Sequence, residues 1–352
     1  MTAQRRKTKR KKESNSKNRK VPFTKFLPYI IGGVIFSFLL YRILVLVNFK
    51  VDCSNIPTDL LSKNSAVVNN LFVFEKDQKI ENMEIVTYSK DKKRVLRIDI
   101  PTELYVTEED IDSFPISSVK FVGEFLEHGS GRKYVVEYMG DLLGLKFDNY
   151  IWLVDNTLST DEFRSKLSVW SILFDFRYNR ELKDNLYSNL PILNLIKEIN
   201  SINQVFSNYE YERMDILDCC VEQVILSKDR KELRFNISAF DEEFSKYIVK
   251  LVSKEVEKER VNVEVYNASD ISGLASEYAR KIRHTGARIL RFDNAPNIYP
   301  ETILYVPEQN NYSNSLDLVK DVVGEHVKIV NDRPQFITTG DIVLVLGEDL
   351  AK

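Results

Sequence analysis

The chain has 352 residues, 43% of them hydrophobic and 29% charged, with 12 Gly and 10 Pro, the composition of a folded protein of about two domains with extra segments. Its net charge of −2 is unevenly spread. Residues 1–25 hold eleven Lys or Arg against one acid, Glu13, which puts this tail near +10 and, with Arg42 set aside, the rest near −13. A basic tail on an acidic body argues against a nucleic-acid-binding body.

From Phe26 to Val47 the chain is apolar apart from Arg42. As a helix, Leu27 to Val47 spans about 31 Å, matching a hydrocarbon core of about 30 Å. A cleaved signal has an apolar run of about 7–15 residues and a small-residue cleavage site. This run is longer, and Val47-Asn-Phe-Lys-Val51 offers no such site. Residues 26–48 are therefore expected to be a retained single transmembrane helix. Lys and Arg on its N-terminal flank keep residues 1–25 cytoplasmic, on anionic inner-leaflet lipid, and send the body outside the cell membrane. The run Arg5-Arg-Lys-Thr-Lys-Arg-Lys-Lys12 is read as this topology determinant; its rival is a nucleic-acid tether. Arg42 can snorkel to the outer headgroups. Gly33 and Ser37 have small-xxx-small spacing, which serves self-association or simply meets lipid.

Cysteine usage is sparse: Cys53, Cys219 and Cys220. Neither a disulfide framework nor zinc spacing is present, and the adjacent pair is not expected to bridge. The thiols read as buried or incidental, with a Cys53 cross-link between two copies as the alternative.

Residues 52–240 read as an α/β layered domain. Leu71–Phe74, Ile85–Tyr88 and Arg94–Ile100 have strand character, with a short fourth strand at Leu104–Val106. Val119–Glu127 and Tyr134–Leu143 read as helices around the turn His128-Gly-Ser-Gly-Arg-Lys133, which lacks phosphate-loop spacing. Asn149–Val154 is a strand, Leu190–Phe206 a helix, and Cys219–Leu226 a strand. Asp241-Glu-Glu243 reads as a solvated helix start. Residues 241–260 form an amphipathic connecting helix with Phe244, Tyr247, Ile248, Leu251 and Val252 on one stripe.

Residues 261–352 form a small βαββαββ domain. Val261 to Ser269 alternates as a strand and Asp270-Ile-Ser-Gly-Leu-Ala275 opens a helix, capped by Ser269 or Asp270 and stopped at Gly286. His284 falls in its last turn, where a cation complements the dipole. Asn267 and Gly273 serve the turn. Arg288–Phe292 and Thr302–Val306 follow as strands, then helix Ser313–Val323 and strands His326–Val330 and Ile342–Leu346. The last is apolar on both faces, hence central. The first six elements have ferredoxin-like order. With only His128, His284 and His326 in the chain, no triad or metal grouping appears.

The strand, the Ser-Gly-Leu-Ala helix start and the closing Ile342-Val-Leu-Val-Leu-Gly347 resemble the C-terminal module of LytR-CpsA-Psr cell-envelope proteins. The resemblance extends upstream over about seventy residues: Ile98-Asp-Ile-Pro-Thr-Glu-Leu-Tyr-Val106, Phe121 to Gly131, and Tyr138-Met-Gly-Asp-Leu-Leu-Gly-Leu-Lys-Phe-Asp-Asn-Tyr150. It implies a mixed-sheet α/β fold with an apolar groove for a lipid carrier. It also implies transfer of an anionic glycopolymer from a polyprenyl pyrophosphate to a cell-wall acceptor. That reaction needs fixed cations on the diphosphate and carboxylates holding magnesium. In the family's Ile-Pro-Arg-Asp motif the Arg is Thr102 here and the Asp is Glu103. The Arg-x-Asp-Thr motif aligns with Lys79-Ile-Glu81-Asn82, and the downstream Arg-rich stretch leaves only Arg177 and Arg180. The family reaction is therefore expected to be lost, leaving an envelope binding or scaffold protein without a cofactor. The alternative keeps the phosphotransfer, with Lys79, Glu81, Glu103, Arg132, Arg177 and Arg180 as the site and Glu81 and Glu103 on magnesium.

Overall fold

The computed structural model describes residues 27–47, 49, 51, 67–108, 111–127, 131–155, 159–226, 231–308, 311–324 and 327–350. The basic tail, Cys53, His128 and His326 lie outside these residues. The chain divides into two units, Met1–Asn48 and Phe49–Lys352. In the first, α1 (Leu27–Val47) is long and apolar enough to cross a membrane, and Tyr29, Val34 and Phe36 stand exposed along it.

The body opens with β1 (Val67–Lys76), β2 (Lys79–Ser89) and β3 (Arg94–Ile100), an antiparallel meander. Asp77 and Gln78, at φ 49° and 64°, close the first hairpin. Two consecutive positive φ values match the right-handed twist of the flanking strands. β4 (Tyr105–Glu108) and β5 (Ile111–Pro115) follow, then α2 (Val119–Glu127), α3 (Gly131–Leu143) and β6 (Asn149–Val154). Next come α4 (Thr160–Lys166), α5 (Val169–Phe174), α6 (Phe176–Asn185), β7 (Leu186–Ser188), α7 (Ile192–Asn208) and β8 (Glu210–Asp215).

The main sheet runs β7-β6-β1-β2-β3-β8. β6 is parallel to β1 and β8 to β3, so the C-terminal ends of β1, β3, β6 and β8 gather at one end with the start of β2. Alternation sends Leu71, Val73, Met83, Ile85, Leu96, Ile98 and Trp152 to one face. There they join Val135 and Met139 of α3 in the largest core. Phe72, Phe74, Val86, Tyr88, Ile151 and Leu153 are buried on the other face, where Tyr88 Oη donates to Glu198 of α7 at 2.9 Å.

After β8, α8 (Ile216–Cys219) leads into β9 (Val221–Ile225) and β10 (Lys231–Phe235), which with β4 and β5 make a second sheet, β5-β4-β10-β9. Here one expectation fails. Cys219 and Cys220 are bonded to each other, with sulfurs 2.12 Å apart. The helical turn ends between them, and the chain's departure at Cys220 brings the two sulfurs together.

The expected connecting helix is two helices, α9 (Ile237–Leu251) and α10 (Lys254–Glu259). Val252 leaves helical geometry, and Ser253 restarts the helix by accepting from Val256 N at 3.3 Å. Phe240, Phe244, Ile248 and Leu251 of α9 belong to the same core as the main sheet, so α9 packs as a layer of the body.

The C-terminal elements are β11 (Asn262–Asn267), α11 (Leu274–His284), β12 (Arg288–Asn294), β13 (Ile303–Tyr305), α12 (Ser313–Val323), β14 (Lys328–Val330) and β15 (Ile342–Leu346). Their sheet runs β12-β11-β15-β13-β14, with the wholly buried β15 in the centre as expected. The pairing is not ferredoxin-like. β11 and β12 are direct parallel neighbours across α11, and β13 is the strand antiparallel to β15. Neither Ser269 nor Asp270 caps α11. Gly273 takes that place at φ 81°, while Asn267 stabilises the turn by accepting from Ser269 N (3.0 Å) and donating to Ile271 O (2.6 Å).

Candidate functional site at the strand ends

In open α/β sheets, ligands bind beyond the carboxyl ends of the strands. At that end of this sheet lies a buried carboxylate, Glu75, 3% exposed. It shares the face of Leu71 and Val73 by strand parity, which drives it under α2 and α3. Trp152 Nε1 donates to its Oε2 at 2.8 Å, and Lys120 of α2 is ion-paired with its Oε1. Lys120 also reaches Glu124 at 3.4 Å. Arg132, in the first turn of α3, places Nε 3.9 Å from Glu75 Oε2 and lays its guanidinium 3.6 Å over the Tyr187 ring.

Gly131 makes this convergence geometrically feasible. A Cβ there would lie 2.6 Å from Lys120 O, so only glycine lets α3 start this close to α2. Two cations and two carboxylates result, a neutral set. A buried ion pair is stabilising only when its lone pairs and protons are matched, and the Trp152 donor does this for Glu75.

The sequence-derived residues surround this group unevenly. Lys79 and Glu81 are exposed at the start of β2, with Glu81 3.8 Å from Lys76. Thr102 Oγ1 donates to Glu81 O at 3.4 Å, which holds the turn carrying Thr102 and the exposed Glu103 against β2. Lys79, Glu81, Thr102, Glu103 and Arg132 thus belong to one end of the sheet. Arg177 and Arg180 are exposed on α6, which leads into β7, where Leu186 lies across from Leu153 near the end of β6. Among the described residues no group of three or more His, Cys, Asp or Glu is placed to hold a metal. Glu81 is turned to Lys76 and Glu103 is exposed.

Sequence reasoning missed Glu75, Lys120, Trp152 and Tyr187. The signal was present: an acid at the inward parity of an apolar strand demands a buried partner. The opposite face holds a second such acid, Glu84, 0% exposed and 3.0 Å from Arg97 Nη2. Burial pushes its carboxyl up, against the opposing pull of Arg97.

The C-terminal domain is locked to the same helix layer. Arg280 of α11 grips Asp241 of α9 at 2.7 and 2.8 Å and donates to Asp141 O and Leu142 O, both at 2.8 Å. His284 Nδ1 lies 3.0 Å from Leu143 O and Gly144 O. The last carbonyls of α3 are therefore capped by α11. Asp241 is a partner in this lock, not part of a solvated run. His284 is not the expected cation: burial lowers it to about 4, so it is neutral at pH 7. Both sheet faces of the main domain are filled by side chains. Clefts of about 30 and 420 Å3 among the described residues are both partly walled by the C-terminal domain.

Residues 260–350 match the family described as LytR cell envelope-related transcriptional attenuator, so this part of the chain is similar to LytR C-terminal domains. No curated protein matches the chain. Similar solved structures include B. subtilis TagT, at 12% identity over 53% of this chain and 91% of that one with a TM-score of 0.36. The Lin1025 protein from Listeria innocua gives 10% identity, 53% and 99% coverage and a TM-score of 0.36. The LytR-CPS2A-psr family protein YwtF (TagT), with bound octaprenyl pyrophosphate lipid, gives 11% identity, 58% and 97% coverage and a TM-score of 0.36.

Proposed function

We infer that this is a single-pass, membrane-anchored envelope protein. Its N-terminus is cytoplasmic and its body stands outside the cell membrane. A divergent LytR-CpsA-Psr-like domain over residues 52–240 is followed by the helical connection 241–260 and the LytR C-terminal domain. It holds an envelope glycan or a polyprenyl-linked glycopolymer without converting it. The observation carrying this reading is the neutral strand-end cluster: Lys120 and Arg132 face Glu75, and Lys120 also faces Glu124. Diphosphate transfer builds negative charge on the leaving phosphate. Each missing preorganised donor costs about 3 kcal/mol of transition-state stabilisation. Thr102 supplies no charge where the family has Arg. The full-length chain in lipid nanodiscs is expected to show no magnesium-dependent cleavage of a polyprenyl pyrophosphate. Turnover that disappears in Lys79→Ala or Glu81→Ala would overturn the reading.

One observation favours the rival phosphotransferase. Lys79, Glu81, Glu103 and Arg132 share one end of the sheet. In that reading Arg177 and Arg180 complete the site from α6, and the same turnover assay separates the two.

A further inference from the structure

A cleft of about 420 Å3 opens where α9 and α10 meet β11, β12 and the start of α12. Its floor is aliphatic: Val252, Val256, Val261 and Ala287 are buried, and Val249 at the edge is 66% exposed. Gly286 shapes it. Its φ is +96°, and a Cβ would fall 1.8 Å from Val252 Cγ2, so only glycine turns the chain this tightly beneath Val252.

The rim is cationic. Arg260 ends α10 in the left-handed conformation, φ 50° and ψ 36°, and Arg288 begins β12; both line the cleft and are exposed. Among the described residues neither has an ion-pair partner. The neighbouring acids are committed elsewhere. Glu257, on the cleft wall, pairs with Lys92 at 2.9 Å. Glu259 caps α12, accepting from Asn314 N at 3.0 Å, Ser315 N at 2.8 Å and Ser315 Oγ at 2.6 Å. Two uncompensated guanidiniums therefore stand over a floor of aliphatic carbon.

The volume is that of a small-molecule site. A compact anion such as pyrophosphate would lose hydration against the valines and gain no donors from them. A neutral apolar ligand would leave the guanidiniums unused. A ligand with an aliphatic chain and an anionic head satisfies floor and rim together. We propose that this cleft binds a single-chain anionic amphiphile, a fatty-acyl carboxylate or an alkyl phosphate. Lys92 sits in the β2–β3 turn, at the opposite end of the main sheet from Glu75, so the cleft and the strand-end cluster can be tested separately.

The test titrates the full-length chain in zwitterionic nanodiscs with decanoate, decyl phosphate or decyltrimethylammonium, using calorimetry and empty nanodiscs as the blank. The two anions are expected to bind one per chain above the blank, and the cation not. Arg260→Asn with Arg288→Gln should weaken the anions at least tenfold, and both positions are exposed, so the fold is retained. Ala287→Phe, which fills the floor, should abolish binding. Tighter decanoate binding identifies an acyl carboxylate as the source, and tighter decyl phosphate a phosphate-headed lipid. Absence of heat above the blank, equal binding of the cation, or anion binding undiminished in the double variant would each overturn the proposal. So would a valine-ended hexapeptide that binds where the decyl anions do not.

Discussion

Acidification from pH 7 towards pH 4 should loosen the junction between α11 and α3 through one buried imidazole. His284 is 3% exposed and packs on Phe244 with ring centroids 4.8 Å apart. Its Nδ1–H donates to the carbonyls that end α3. Its Nε2 is buried without a hydrogen-bond partner, 3.5 Å from Asp241 Oδ1, and Arg280 already holds that carboxylate. Burial therefore lowers the group from 6.5 to about 4, with Asp241 pulling the other way. Between those values the unfolded chain binds a proton that the folded chain refuses. The contribution is fully present above pH 6.5 and is lost as the pH falls to about 4. At 1.36 kcal/mol per pH unit this comes to about 3 kcal/mol. Urea unfolding at pH 7, 5.5 and 4.5, followed by near-UV circular dichroism, measures it. His284→Asn keeps an N–H donor but does not titrate, so its stability should fall less steeply over this window than the wild type's. Glu84, raised by burial, has the opposite sign and gains stability on acidification, but it acts in both proteins and cancels in the difference. Parallel pH profiles for the two proteins would refute the reasoning.

Three further outcomes follow from the same contacts. Arg280→Ala strands the Asp241 carboxylate and two helix-end carbonyls, so it should cost about 3 kcal/mol in a urea titration, and Arg280→Lys should not restore it because a single ammonium cannot span all three acceptors. Glu75→Ala removes the carboxylate that answers Lys120 and Arg132; it should cost about 3 kcal/mol of stability and raise affinity for inorganic pyrophosphate by calorimetry, with the pH 7 wild type as reference. Iodoacetamide added to the denatured, unreduced protein should label Cys53 alone by mass spectrometry, and all three cysteines after reduction.

Much of the architecture was legible because it follows from period alone. Ser313–Val323 and Ile342–Leu346 emerge with the expected bounds, since a stop at Gly324 and an unbroken apolar run leave little choice. What escaped depended on tertiary partners. Ser253 reads as one more polar residue on a helix until Val252 turns the chain and frees it to cap. His284 reads as a helix-end cation until α3 and Phe244 take its water away. Element order fixed neither the neighbour of β11 nor the bond between Cys219 and Cys220, because pairing depends on which faces find cover. At the strand ends, the motif positions Lys79, Glu81, Thr102 and Glu103 were visible as sequence. Glu75 escaped because the expected strand, Leu71–Phe74, stops one residue short of it, whereas β1 continues to Lys76.

A single helix ties the two halves of the body together. The first turn of α3 carries Arg132 beside Glu75, and its last carbonyls are held by Arg280 and His284 from the C-terminal domain. A helix of 13 residues is about 20 Å of rigid rod. Its N-terminus is pinned by the close approach at Gly131 and its C-terminus by the α11 caps. Repositioning Arg132 toward an incoming diphosphate would mean breaking its Tyr187 stack and Glu75 contact or shifting the rod against both pins. The C-terminal domain thus pins the very helix that would have to shift for Arg132 to reach a diphosphate.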